Sequence, residues 1–216
     1  KKKIPSVVFI YSSNVRKLLA EVSYKILNKD FNKLVAVTGT NGKSSIADFY
    51  FQILKLNSKK VASMGTLGLK YESNKKKLEN TTSDPIKIGT ILKDLNKKKI
   101  KFIIMEASSH GLDQNRLDGL KFDIGIFTNL SHDHLDYHKN MKNYLNSKLY
   151  LFKNLVKKRG HIITDANIPE AQKIKKISIE KNINLNLIND EFEGIRLISH
   201  KFEKEKQILE IKFKKV

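Results

Sequence analysis

Leu34-Val35-Ala36-Val37 is an unbroken apolar run with two β-branched members, the pattern of a strand buried on both faces. It opens directly into Thr38-Gly39-Thr40-Asn41-Gly42-Lys43-Ser44-Ser45. Beyond that turn, Ile46, Phe49, Tyr50, Ile53 and Leu54 stand at i, i+3, i+4, i+7 and i+8, one apolar stripe of a helix. Paired glycines between a buried strand and a helix let backbone N–H groups converge on a phosphate at the helix N-terminus. In that setting Lys43 reaches the outer phosphates of a nucleotide as a mobile point charge, and the Ser44 hydroxyl is placed to hold Mg2+. The spacing is G-x-x-G-K-S, with Val37 where the commoner G-x-x-x-x-G-K-[ST] pattern has its first glycine. A bare Gly-Lys-Ser would as readily be an ordinary glycine turn. The flanking strand and helix favour a nucleotide loop over 39–45.

Strand and helix patterns go on alternating along the chain. Residues 61–64 read as a strand, followed by a Gly- and Lys-rich hairpin or loop to residue 80. Ser83-Asp84-Pro85 is a helix-start signal, and Ile88, Ile91, Leu92 and Leu95 carry the helix to about residue 96. Residues 102–105 and 122–127 are two more buried-strand candidates, and 160–164 another, before a helix over 168–181. Before residue 33, Val15, Leu18, Leu19, Val22 and Ile26 follow a helical pattern, with Ser12 and Ser13 as candidate N-caps. After Gly194 the period drops to two, an antiparallel hairpin. The fold class is therefore α/β: a mainly parallel sheet with a phosphate loop and flanking helices, plus a short antiparallel hairpin near residue 216. Glu106 ends the strand 102–105, and a charge there belongs at the sheet's carboxyl end, where ligands bind in open α/β sheets.

Composition narrows the partners. The formal charge is +20, but of the 42 cations only Arg16, Arg116, Arg159 and Arg196 are Arg. Nucleic-acid readers lean on the bidentate guanidinium. Short scattered lysine runs beside Asn and Ile read instead as solvated faces, so no specific nucleic acid is expected. No run approaches the roughly 18 apolar residues of a membrane span. Lys1-Lys2-Lys3 before the brief apolar stretch at 7–11 does not make a signal peptide. Cysteine is absent, which excludes disulfides, thiolate zinc sites and cysteine nucleophiles and fits a cytoplasmic location.

Residues 38–44 resemble the phosphate loop of the Mur ligases and their folylpolyglutamate synthetase relatives. Further motifs follow in order: Asn80-Thr81-Thr82, then Met105-Glu106-Ala107-Ser108-Ser109-His110-Gly111-Leu112 with Gln114 and Arg116, then Phe127-Thr128-Asn129-Leu130 and Asp133-His134-Leu135-Asp136-Tyr137-His138. Together they are similar to the Mur ligase branch that adds the third amino acid, over about residues 34–169. The resemblance implies an ATP-dependent amide-bond ligase of peptidoglycan precursor synthesis. Such an enzyme joins meso-diaminopimelate, or L-lysine, to UDP-MurNAc-L-Ala-D-Glu through an acyl phosphate. It implies ATP on Gly39, Thr40, Asn41, Gly42, Lys43, Ser44 and Ser45. It implies the UDP-MurNAc-dipeptide on Asn80, Thr81, Thr82, Ser108, Gln114 and Arg116. Mg2+ falls to Ser44, Glu106, His134 and Lys148, the last as a carbamate, and catalysis to Lys43, Glu106, His134 and Lys148. Ser44 stands where threonine is commoner, which keeps the hydroxyl.

Residues alone leave some of this open. Arg116 offers a planar fork for an anionic substrate, or a surface ion pair with Asp113 or Asp118. His132, His134 and His138 have metal-like spacing, yet only His134 is kept as a ligand, with His110, His132 and His138 as polar lining. Lys148 falls on a stripe with Met141, Leu145 and Phe152 in a helical stretch over 139–156, and a lysine there either snorkels or loses its proton. The expected organisation is the tail of a uridine-binding domain over 1–33 and an incomplete ATP-binding domain over 34–216, with a C-terminal domain absent. The first residue is Lys, so a fragment is expected; the resemblance implies that it is inactive without the C-terminal domain, and a monomer is expected. The rivals are a folylpolyglutamate synthetase-like ligase and a non-catalytic nucleotide- or nucleic-acid-binding protein.

Overall fold

The computed structural model describes residues 9–27, 33–189 and 195–213. Lys1-Lys2-Lys3, Val7, Val8 and Gly194 lie outside them. In chain order the elements are α1 (Val15–Leu27), β1 (Lys33–Thr38), α2 (Lys43–Leu56), β2 (Val61–Gly65), β3 (Gly68–Tyr71) and β4 (Asn74–Lys76). Then come α3 (Pro85–Lys97), β5 (Phe102–Glu106), α4 (Ser109–Asp113), β6 (Phe122–Phe127), α5 (Leu135–His138) and α6 (Met141–Tyr150). A π-helical turn, Leu151–Leu155, leads into β7 (Val156–Asp165), α7 (Ala171–Lys181), β8 (Asn184–Ile188), β9 (Ile195–Glu203) and β10 (Lys206–Phe213).

The strands lie in the order β10-β9-β8-β7-β6-β1-β5-β2-β3-β4. From β8 to β2 all neighbours are parallel, with β1 at the centre between β5 and β6. Antiparallel β3–β4 extends one edge, and the β9–β10 hairpin joins the other where, among the described residues, Ile188 pairs with Ile195. Parallel strands need cover on both faces, and the central ones read accordingly as continuous apolar runs. On one face Ala36, Ile103, Phe127 and Ile162 pack with Leu92 of α3, Leu149 of α6, Phe152 of the π turn and Ile174 of α7. On the other face Val35, Val37 and Ile104 pack with Ala47 of α2. The chain's order changes side at β1, so its carboxyl end opens a crevice between the loops after β5 and β6.

Several expectations are adjusted. α2 rests on the sheet through Ala47 and Phe51, because the small alanine allows close approach, and this turns Phe49 and Ile53 outward to 60% and 59% exposure. The helix expected over 139–156 is α6 plus the π turn, with Val156 already in β7. Residues 168–171 form a turn closed by Ala171 N–H to Ile168 O at 3.1 Å, so α7 starts at Ala171 rather than at residue 168. α1 is capped by Asn14, whose Oδ1 accepts from Lys17 N at 2.9 Å, rather than by Ser12 or Ser13; Ser12 Oγ accepts from Asn14 N instead.

At α3 the start signal is realised as read: Asp84 Oδ1 accepts from Lys87 N at 2.9 Å, and Pro85 takes the first helical position. Replacing Asp84 by Ala is expected to cost about 1 kcal/mol and lower Tm by roughly 2–4 °C. Thermal unfolding followed by circular dichroism checks this, and an unchanged Tm would show that water replaces the cap.

Candidate active site

The loop between β1 and α2 is shaped by two glycines in backbone regions that side chains avoid, Gly39 at φ 145° and Gly42 at φ 83°. A Cβ on Gly39 would stand 1.8 Å from Thr128 Oγ1, so the loop after β6 touches the loop backbone itself. That second loop acts as a template. Asn129 O accepts from Thr40 N at 2.9 Å and Asn129 Oδ1 from Asn41 N at 2.9 Å, while Thr128 Oγ1 donates to Asn41 O at 2.7 Å. Thr40 Oγ1 accepts from Ser131 N at 3.0 Å. Lys43 curls back over the loop, its Nζ donating to Gly39 O at 3.0 Å and Thr40 O at 2.7 Å. Burial lowers its pKa, against the opposing pull of Glu106 and Asp133.

Glu106 is 2% exposed at the end of β5. Its Oε2 accepts from Ser44 Oγ at 3.0 Å, and its Oε1 from Thr66 N at 2.8 Å. Gly65 makes room for it, since a Cβ there would meet Oε1 at 2.1 Å. Thr66 also reaches Thr81, hydroxyl to hydroxyl at 2.9 Å. Thr82 is buried behind Glu106, donating to its backbone carbonyl at 2.8 Å and accepting from Ser108 N at 3.0 Å. Ser108 in turn caps α4 through Gly111 N at 3.1 Å. Arg116 pairs with neither Asp113 nor Asp118. Its guanidinium donates to Thr82 O at 2.6 Å and, through Nη2, to Gln114 Oε1 at 2.7 Å. The two acids are occupied elsewhere, Asp113 by the Tyr137 hydroxyl and Asp118 by that of Tyr150. Asn80 is exposed.

Lys148 is 1% exposed and reaches from α6 to the phosphate loop, Nζ donating to Gly39 O at 2.6 Å. Burial, with the nearby Lys43 charge, brings its pKa down to about 7. Its Nζ also lies 4.3 Å from the centre of the Tyr144 ring. His134, half-exposed at the start of α5, packs edge-on against His110 with ring centres 4.9 Å apart. His138 is buried in the same group, its Nε2 without a partner among the described residues, and His132 is exposed. Burial holds both His110 and His138 below the usual imidazole pKa range.

A cavity of about 280 Å³ brings Thr40 to Ser45 together with Thr66, Thr81, Glu106, Ser108, Ser109, His134, Tyr144 and Lys148. Asn80, Thr82, Gln114 and Arg116 do not line it. Mg2+ prefers oxygen donors and keeps positions for phosphate and water. The Ser44 hydroxyl and Glu106 carboxylate, 3.0 Å apart on the wall, fit that demand. No group of three or more His, Cys, Asp or Glu among the described residues could hold a metal without such help. Thr66, Thr128, Asn129, Ser131 and Tyr144 are site residues that sequence reading leaves without a role. Thr128-Asn129 stands inside a motif, but its use as a template emerges only from the packing of β6 beside β1.

The family model for the Mur ligase middle domain matches residues 37–216. The chain belongs to the Mur ligase family. Among its relatives, the UDP-N-acetylmuramoyl-L-alanyl-D-glutamate–2,6-diaminopimelate ligase of Zymomonas mobilis subsp. mobilis is 36% identical over 98% of this chain and 44% of its own length. A solved ligase of that same name superposes with a TM-score of 0.82 at 25% identity, covering 93% of this chain and 42% of the other. The chain thus spans less than half the length of these Mur ligases. A folylpolyglutamate synthase from Mycobacterium tuberculosis complexed with ADP superposes with a TM-score of 0.71 at 10% identity, over 92% of this chain and 51% of its own, a likeness of fold alone. No helix among the described residues is long and apolar enough to cross a membrane.

Proposed function

We propose that this Mur ligase chain carries the ATP site of a ligase that adds meso-diaminopimelate to UDP-MurNAc-L-Ala-D-Glu. The observation that carries the reading is one small cavity in which the phosphate loop faces Glu106, His134 and the buried Lys148. Relatives named for diaminopimelate addition support the acceptor, with L-lysine as the alternative to test. In this reading the substrate's glutamate carboxylate attacks the γ-phosphate of ATP, giving an acyl phosphate and ADP. The incoming amine attacks that carbonyl, forms the amide and releases phosphate.

Phosphoryl transfer asks the protein for positioning and charge neutralisation. With the Thr40 and Asn41 N–H groups held by Asn129, residues 42–45 present theirs to the phosphates, and Lys43 leaves the carbonyls of Gly39 and Thr40 to neutralise them. Ser44, Glu106, His134 and Lys148 as a carbamate would hold Mg2+, which supplies further neutralisation of phosphate charge. A buried amine with a pKa of about 7 is largely neutral under mildly alkaline conditions, and the neutral amine is the form that adds to CO2. Asn80, Thr81, Thr82, Ser108, Gln114 and Arg116 are assigned to the UDP-MurNAc-dipeptide. Gln114 and Arg116 act as a unit, since Gln114 already fixes the plane of the guanidinium. The reading places the enzyme in the cytoplasm as a monomer, with residues 34–216 in its ATP-binding central domain. The family match beginning at residue 37 supports that boundary.

The test is to supply the full-length protein with ATP, Mg2+, UDP-MurNAc-dipeptide and either diamino acid, and to look for the tripeptide by mass spectrometry. Diaminopimelate product is expected. Product with lysine alone would move the acceptor, and glutamate addition to a folate would move the chain to the other branch.

A further inference from the structure

Tyr144 has no part in the assignments above, yet it touches three of their components. It is 1% exposed on α6, one helical turn before Lys148. Its hydroxyl lies 3.2 Å from Thr40 Oγ1 on the phosphate loop. Its ring face receives Lys148 Nζ at 4.3 Å from the ring centre, its ring centre lies 5.1 Å from that of the tilted His138 ring, and it meets the His134 ring in an edge-type contact with centres 6.2 Å apart. A lysine side chain has four rotatable carbons and swings freely unless something restrains it. Here the restraint is double. Gly39 O takes the Nζ hydrogen bond at 2.6 Å, and the aromatic face closes the side from which the amine would otherwise withdraw.

Thr40 depends on the same residue. Its hydroxyl is fixed by Ser131 N at 3.0 Å and by the Tyr144 hydroxyl, so a loop that must hold phosphates to within half an ångström is tied directly to α6. We propose that Tyr144 is a positioning residue that sets the distance between the phosphate loop and the Lys148 amine, gripping Thr40 by its hydroxyl and Lys148 by its ring. The inference rests on the reading above only in taking the loop and Lys148 as working parts. It adds that their spacing is imposed by a side chain on the cavity wall to which that reading gives no role.

The two grips separate by substitution. In the full-length protein, Tyr144→Phe keeps the ring and loses the hydroxyl, whereas Tyr144→Leu loses both. Calorimetric titration with the non-hydrolysable ATP analogue AMPPCP reads the loop. Reductive methylation followed by mass spectrometry reads the lysine. Lys70 of β3, part-buried in its 2.6 Å pair with Asp48 of α2, is the reference for general loosening. Tyr144→Phe is expected to weaken AMPPCP by about 3- to 10-fold, the range of one lost hydrogen bond, while Lys148 labelling stays within about twofold. Tyr144→Leu is expected to raise labelling of Lys148 relative to Lys70 by about fivefold or more. An unchanged Lys148 to Lys70 ratio in Tyr144→Leu, or unchanged AMPPCP affinity in Tyr144→Phe, overturns the proposal. If Tyr144→Leu does not fold, the affinity of Tyr144→Phe decides alone. If the unsubstituted protein binds no AMPPCP, the labelling ratio decides. Neither measurement needs turnover, so a protein that binds AMPPCP and fails to ligate would sink the ligase reading and leave this one standing.

Discussion

Replacing Lys148 by Ala in the full-length protein is expected to lower ligation by about a hundredfold or more, the scale on which a charge-stabilising group acts in a phosphoryl- or acyl-transfer site. Acetate or another short carboxylate is expected to restore part of the loss, because it can enter the space of the missing carbamate. The pH dependence has a definite sign. The Lys148 pKa is brought down to about 7, so its neutral fraction grows as pH rises through that value and shrinks below it. At limiting bicarbonate, activity of the unsubstituted protein should therefore fall as pH drops below about 7, and saturating bicarbonate should offset the fall. Steady-state rates for the two proteins across pH and bicarbonate decide the matter. Full activity in Lys148→Ala would remove Lys148 from the chemistry.

Lys43→Ala is expected to weaken AMPPCP binding by about 10- to 100-fold, since a charge-assisted hydrogen bond to phosphate contributes roughly 1.5–3 kcal/mol. The substitution also strips Nζ from the carbonyls of Gly39 and Thr40, so the loop loses an internal brace as well as a ligand. Lys43→Arg should not restore affinity, because a planar fork cannot occupy the space of a compact ammonium folded over a tight turn. Titration calorimetry on the three proteins checks both statements. Equal affinity in Lys43→Ala would place the nucleotide elsewhere.

The parts of this molecule that are legible in sequence are those whose causes are local. Leu34 to Val37 form a strand because both faces are covered, and the glycines at 39 and 42 mark the turn because only they accept its backbone. Asp84-Pro85 starts a helix by chemistry that needs no other part of the fold. By contrast β8, Asn184-Leu-Asn-Leu-Ile, carries no continuous apolar run, because it is only half covered. α5 spans only Leu135–His138, too short to show a period. The site divides the same way. Lys43 and Ser44 announce themselves by spacing, whereas Thr66 matters because β2 lies beside β5 and delivers its N–H to Glu106. Tyr144 matters because α6 lies against the loop after β1, where Tyr144 reaches Thr40 and Lys148 reaches Gly39, a fact of tertiary packing that the stripe Met141, Leu145, Lys148 only hints at.

The π-helical turn at Leu151–Leu155 sits between Lys148 and β7, and it buries Leu151, Phe152 and Leu155. A π turn holds one residue more than an α turn of the same span. Each helical residue advances the chain by roughly 100°, so that extra residue is a phase correction. It lets Lys148 point at Gly39 while Phe152, four positions later, packs against Phe127 and Val156 comes alongside Phe122 to begin β7, whose register against β6 then shifts before Ile124 meets His161. Excising one residue there would give a more regular helix and a worse protein, with either the lysine or the strand rotated out of place. Length polymorphism that surface loops absorb freely is, at this point, a change of angle.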